Sequence, residues 1–297
     1  MTTSLPMSLD TLGAYCFLDG LSGPETARLA RKLEKLGYGA LWYVEEHGRD
    51  TFAHASFLLA HTERLVLAAG IANVFKREPA AMIGGARTLA ELYDGRYILG
   101  LGVSEKTFNA ENLGIRYERP VSHMREYLAK MRSLPYIAPR PTEDPPIVLG
   151  AVLPKMIELA AAETHGTHTY FVPPEHTART RAAIGPDKWI CAEQAVLLES
   201  DAAKARAAAR EYMAFYLTMP SLRKMLHNCG FSDAEMANGG SDRLVDALVV
   251  WGDEDKLRER ICALYEAGAT HVCILPLHCD GGLNPDERTF EALAPGR

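Results

Sequence analysis

Four short polar clusters each follow directly on an apolar run, and their residue types suit proton and hydride transfer. Glu45-Glu46-His47 closes the run that starts at Ala40, and Asn73 with Lys76-Arg77-Glu78-Pro79 follows Leu65–Ala72. Ser104-Glu105-Lys106 follows Tyr97–Val103, and Pro173-Pro174-Glu175-His176-Thr177 follows Thr169–Val172. Carboxylates, imidazoles and amides converging from separate strands can hold and move protons beside a bound organic cofactor. They do not make a metal site, because His165-x-x-His168 and His271/His278-Cys279 lack a third ligand at useful spacing. No Gly-x-Ser-x-Gly elbow and no Walker loop is present, which removes serine-hydrolase and P-loop chemistry.

Clusters so placed need a scaffold that gathers strand ends. The periodicity predicts a strand over Leu12–Leu18, then a helix opened by the capping-box spacing Ser22-Gly23-Pro24-Glu25. That helix carries Ala27, Ala30, Leu33 and Leu36 on one face and ends at Gly37. Further strands are predicted over Ala40–Glu45, Leu65–Ala72, Tyr97–Val103, Ile147–Ala151, Thr169–Val172, Trp189–Leu198 and His271–Leu275. Helices are predicted between them, over Phe52–Thr62, Pro79–Tyr93, Val121–Met131, Pro154–Glu163 and Asp253–Ala267. A long helical stretch from Asp201 to about Leu248 breaks at Pro220 and at Asn238-Gly239-Gly240. Eight strands alternating with helices predict a (β/α)8 TIM barrel, one domain over residues 1–297, with helical insertions between strands 4 and 5 and between strands 7 and 8. A doubly wound open sheet is the alternative, and the absence of Gly-x-Gly-x-x-Gly after the first strand counts against it. In a barrel the active site lies at the carboxyl ends of the strands, where the four clusters fall.

Composition narrows the partners. Of 297 residues, 47% are apolar and 24% charged, as in ordinary globular proteins, and 32 basic against 38 acidic residues leave a net charge of −6. That balance argues against a nucleic acid or an anionic membrane as the main partner. The longest near-continuous apolar run, Leu65–Phe75, is short of the ~20 residues that span a bilayer. Six cysteines without a Cys-x-x-Cys pair, all in or near apolar segments, read as buried free thiols. Met1–Pro6 has neither the charge nor the apolar run of a secretory leader, so the expected location is the cytoplasm.

Several of these segments together resemble the luciferase-like flavin and deazaflavin oxidoreductase superfamily. They are Trp42-Tyr43-Val44-Glu45-Glu46-His47, Gly70-Ile71-Ala72-Asn73-Val74, Arg77-x-Pro79 and Gly95-Arg96-Tyr97-Ile98-Leu99-Gly100-Leu101-Gly102-Val103-Ser104. The branch using the deazaflavin coenzyme F420 is the nearer match. The resemblance covers residues 12 to about 180 well and the last strand loosely, and leaves 200–250 unaligned. It implies a tricyclic cofactor across the strand ends, backed by a bulge over Gly70, Ile71 and Ala72 whose Gly70–Ile71 bond is a non-proline cis peptide. An ordinary trans strand end is the alternative there. It implies Glu105 as proton donor, with Ser104 beside it, and Glu45, Glu46 and His47 at the ring edge. The order of that acidic and histidine cluster departs from the Asp-His pair common in deazaflavin enzymes. Asn73 either bonds a ring carbonyl edge or caps its own turn.

The helix entered through Val172, Pro173, Pro174 and Thr177 offers its N-terminus to a cofactor phosphate, with Lys155 as added charge. Glu105, His47 and Lys155 also have plainer readings as loop and surface residues. FMN is the alternative cofactor, giving a monooxygenase. The flavin branch often carries an arginine after strand four, where this chain has Ser104-Glu105-Lys106. A cofactor carrier without turnover is a third possibility. Phe108, Tyr212, Phe215, Tyr216 and Met219 are candidates to line a pocket for a small-molecule substrate, or to serve as core or as the interface of a homodimer, the assembly common among family members.

Overall fold

Eight parallel strands close into a barrel in this computed structural model, which describes residues 7, 9, 12–45, 47–106, 108–109 and 113–295. Glu46 lies outside the described residues. The barrel strands are β1 (Gly13–Cys16), β2 (Ala40–Tyr43), β3 (Val66–Ala69), β5 (Tyr97–Gly102), β6 (Ile147–Gly150), β7 (Gly166–Thr169), β8 (Trp189–Leu198) and β10 (His271–Pro276). Two short strands, β4 (Ala72–Asn73) and β9 (Val249–Gly252), extend the sheet beside β5 and β8. Closure comes from β10, which pairs with β1 at Gly13↔Cys273 and with β8 along His271↔Cys191 to Pro276↔Val196. The open-sheet alternative is thereby excluded.

Helices α1 (Gly23–Leu36), α2 (Thr51–Leu59), α3 (Pro79–Leu92), α4 (Pro120–Ser133), α5 (Pro154–Glu163) and α6 (Pro174–Ile184) follow successive strands, and α11 (Glu254–Glu266) and α12 (Glu287–Ala292) complete the outer layer. In α1 the Glu25 carboxylate accepts the Ser22 backbone N–H at 2.7 Å, and Gly37 ends the helix at φ 90°. A left-handed residue costs glycine nothing there. Between β8 and β10 lie α7 (Ala202–Tyr216), α8 (Pro220–Asn228), α9 (Asp233–Met236) and α10 (Asp242–Leu248).

Alternation along each strand sorts the core into two layers. Ala14, Cys16, Leu41, Tyr43, Leu67, Leu99 and Leu149 face the helices. Tyr15, Ala40, Trp42, Ala68, Ile98, Val148, Cys191 and Cys273 fill the barrel, and their cluster runs on into Met213, Leu222 and Met225 of the insertion helices. At about 25 cal/mol per Å2 of apolar surface removed from water, both layers drive closure. Three cysteines depart from the buried-thiol expectation: Cys262 is exposed on α11, and Cys229 and Cys279 are half-buried.

The strands depart most from the sequence reading at three places, each for a physical reason. Leu65–Ala72 divides into β3 and β4, because the chain bulges at Gly70–Ile71, whose peptide is cis as the resemblance implies. The Ile71 side chain lies over β5 and β6, where a Cβ at Gly102 or Gly150 would meet it at 2.5 or 2.8 Å. The sixth barrel strand is Gly166–Thr169 and not Thr169–Val172. Its residues Gly-Thr-His-Thr look polar but are buried, since Thr167 Oγ1 donates to Leu149 O at 2.9 Å and His168 Nδ1 donates to Cys191 O at 3.1 Å. Hydropathy cannot see side chains satisfied by neighbouring strands. Likewise β9 is too short to stand out between two helices and exists through its pairing with β8.

Candidate active site

A cavity of about 1080 Å3 opens at the carboxyl ends of the strands. Tyr15, Gly70, Ile71 and His168 line it from the barrel, Glu45 and His47 from the loop after β2, and Ser104 and Glu105 from the loop after β5. Insertion helices α7 and α8 face them with Tyr212, Phe215, Tyr216, Met219 and Ser221, and Phe108 joins this aromatic wall. No arginine stands among the described lining residues.

Glu105 owes its position to the turn before it. Ser104 takes a left-handed backbone at φ 52°, a conformation costly for a non-glycine residue and concentrated at functional sites. The Glu105 carboxylate accepts hydrogen bonds from the Ser221 hydroxyl and from the Lys106 backbone N–H. Burial disfavours its charge and raises its pKa above the ordinary glutamate value, against the lowering by those two bonds. The backbone of the same residue is pinned from below. Asn109 donates its side-chain amide to Val103 O at 2.8 Å and Glu105 O at 3.0 Å, and its Oδ1 accepts from Asn73 Nδ2 at 2.8 Å. Asn73 also accepts the Phe75 N–H at 3.0 Å. Its side chain, 1% exposed, therefore caps its turn and braces the Glu105 loop, and neither Asn73 nor Ala72 lines the cavity.

Glu45 lines the cavity but its carboxylate is taken. Arg77 grips it through both oxygens, Nη1 to Oε2 at 2.6 Å and Nη2 to Oε1, and reaches Asp50 as well. The Asn73 N–H adds a third bond to Oε2 at 3.3 Å. The Glu45 side chain is 1% exposed and that of Arg77 12%, so the pair is buried structure at the cavity edge. His47 is exposed, with its ring 4.6 Å from that of Phe108.

The first turn of α5, and not that of α6, reaches the cavity. Pro154, Lys155 and Met156 line the wall, whereas Val172, Pro173, Pro174 and Thr177 do not. The early end of β7 explains this. Tyr170 falls at the cavity, Phe171 turns left-handed at φ 55°, and Val172 and Thr177 are buried away from it.

At the floor of the cavity His168, read in the sequence only as part of a failed metal motif, belongs to an aromatic stack. The His168 ring lies between Trp42, centroids 4.7 Å apart and 9° from parallel, and Tyr15, 5.8 Å and 5°. Trp42 Nε1 donates to His271 Nε2 at 3.1 Å, and Tyr15 Oη donates to Gly70 O at 2.6 Å. Burial pushes the His168 pKa down to about 4, so the ring is neutral, with Nδ1–H committed to Cys191 and Nε2 left as an acceptor without a partner among the described residues. That atom sits beside Gly70, where a Cβ would approach it to 3.3 Å. In the same layer the Glu193 carboxyl, 4% exposed, is pushed up to about 8 by burial, with the Tyr212 hydroxyl at 3.4 Å. No spacing rule signals His168 or Ser221, since each acts on a residue distant in sequence, and Asn109, though it bonds Glu105 four residues away, is tied to Asn73 only by the fold.

The cavity suits a flat ring system. Its volume slightly exceeds the roughly 300–1,000 Å3 that holds one drug-sized ligand. Its floor offers an unpartnered buried acceptor, and its wall offers a helix N-terminus with a lysine.

Comparison with known proteins agrees with this geometry. A 5,10-methylenetetrahydromethanopterin reductase of Methanolobus tindarius is 27% identical, over 83% of this chain and 88% of the relative. A putative coenzyme F420-dependent oxidoreductase of Mycobacterium tuberculosis is also 27% identical, over 84% and 89%. Among solved structures, an F420-dependent secondary alcohol dehydrogenase in complex with an F420–acetone adduct superposes with a TM-score of 0.77 at 17% identity, covering 97% of both chains. The oxygenating constituent of 3,6-diketocamphane monooxygenase from Pseudomonas putida, in complex with FMN, shares the fold at a TM-score of 0.63 and 16% identity, over 89% and 91%. The family model for luciferase-like monooxygenases matches residues 17–271, and the chain belongs to that family.

Proposed function

We propose that this protein is an oxidoreductase that binds the deazaflavin coenzyme F420 and passes a hydride between it and a small organic substrate. The observation that carries the proposal is the Glu105 carboxyl, desolvated in the cavity wall with its pKa raised. F420, when bound, would supply hydride chemistry at a ring carbon, with a proton exchanged alongside. Glu105 would hold that proton, because burial raises the proton affinity of its carboxyl beside the cavity. Gly70, Ile71 and Ser104 would border the ring, and Lys155 with the first turn of α5 would hold the anionic tail. Glu45 shapes the edge through Arg77, and exposed His47 meets the substrate with Glu46 beside it in sequence. Ala72 and Asn73 support this floor from behind, as Val172, Pro173, Pro174 and Thr177 support the α5 wall.

F420 is favoured over FMN by the relatives' coenzyme and by the absence of arginine from the described lining residues. Titrating the purified protein with each cofactor and following fluorescence tests the choice. Saturable binding of F420 is expected, and tight FMN binding without F420 binding would overturn the proposal in favour of a monooxygenase. Glu105→Gln separates an enzyme from a carrier. It should keep F420 affinity while losing turnover of any substrate that the wild type accepts.

A further inference from the structure

We propose that Ser221, on the insertion between β8 and β10, is a positioning residue for Glu105. The proposal rests on the reading of Glu105 as the proton-holding group. Serine near a helix N-terminus ordinarily bonds its own backbone. Here α8 begins after Met219 without a side-chain cap, and the hydroxyl of Ser221, its second residue, crosses the cavity to Glu105 Oε1. The residues are 116 apart in sequence, so the bond ties the loop after β5 to the insertion between β8 and β10.

The two ends of Glu105 are thus held by different parts of the fold. Asn109, braced by Asn73, fixes its carbonyl, and Ser221 fixes one carboxyl oxygen, which sets the direction of the other. Among the groups that face Glu105, Tyr117 and Tyr170 titrate well above neutrality because burial raises both, and the Lys106 backbone N–H bonds the carboxylate directly. The Tyr117 hydroxyl donates to Ser104 O at 3.3 Å, and Ser221 supplies the side-chain hydroxyl bonded to the Glu105 carboxylate. A donor bonded to a carboxylate stabilises the charged form, so its removal raises the carboxyl's proton affinity.

The test reads Glu105 itself and needs neither substrate nor coenzyme. Full-length protein with 13C at the glutamate carboxyl carbons is titrated with acid and base by NMR, and the signal missing from Glu105→Gln assigns the resonance. Ser221→Ala should move the Glu105 midpoint upward, and Ser221→Thr, which keeps the hydroxyl, should return it toward wild type. An unmoved or lowered midpoint in Ser221→Ala overturns the proposal. Ser221→Cys, a weaker donor of similar size, serves if the alanine variant does not fold, with the same direction expected. Failure of F420 to bind would overturn the functional reading and leave this result standing, so the two failures are distinguishable.

Discussion

Removing the Arg77 guanidinium should cost this protein about 3–5 kcal/mol of stability, the range for breaking a buried ion pair from one side. The structure places the cost within that range. The Glu45 side chain is 1% exposed and accepts two parallel bonds from Arg77, one of them at 2.6 Å. Charge-assisted bonds contribute about 1.5–3 kcal/mol each. In Arg77→Met the carboxylate keeps, among the described residues, only the Asn73 N–H at 3.3 Å and the Lys76 ammonium at 3.8 Å, so a value of about 3 kcal/mol is expected. Glu45→Gln should cost less, about 1–2 kcal/mol, because Arg77 retains its half-exposed partner Asp50 and the amide still accepts one bond. Replacing both residues by methionine should recover much of the loss, since the uncompensated buried charge is then gone. Urea unfolding of the four proteins, followed by circular dichroism, yields the double-mutant cycle. An Arg77→Met cost below about 1 kcal/mol, with no coupling to Glu45, would refute the reasoning and show the pair to be screened like a surface one.

Stability should vary with pH in two windows. Glu193 binds its proton more tightly folded than unfolded, so stability falls as pH rises from 4.5 to about 8, and Glu193→Gln should flatten that decline. His54 and His168 are both pushed down from 6.5 to about 4 by burial, so on the acid side stability is lost as pH falls through that interval. Urea midpoints across pH 4–9 check both, and a Glu193→Gln profile superimposable on wild type would remove the first. Gly102→Val should crowd Ile71, since even a Cβ meets its Cγ1 at 2.5 Å. Overpacking of about 1–3 kcal/mol and weakened F420 binding are expected together, and unchanged affinity in the titration would mean that the Gly70–Ile71 ledge does not border the ring.

What the sequence by itself determined is the repeat and its punctuation. Apolar runs alternating with amphipathic helices, Ser22 and Glu25 at a helix start, and Gly37 at its end are local signals, and the barrel follows because parallel strands joined by helices must bury both faces. The loop acids were legible for the same reason, since a strand end can be read from the chain alone. Glu105 and His47 do line the cavity, as do Lys155 and the Gly70–Ile71 step. Tertiary structure decided what these groups touch. Arg77 converts Glu45 into half of a buried pair, Asn73 braces Asn109, and Ser221 arrives from 116 residues away. It also decided that the first turn of α5 and not that of α6 faces the cavity, because β7 is made of polar residues whose burial depends on carbonyls of adjacent strands. Local propensity carries no information about partners brought together only when the barrel closes.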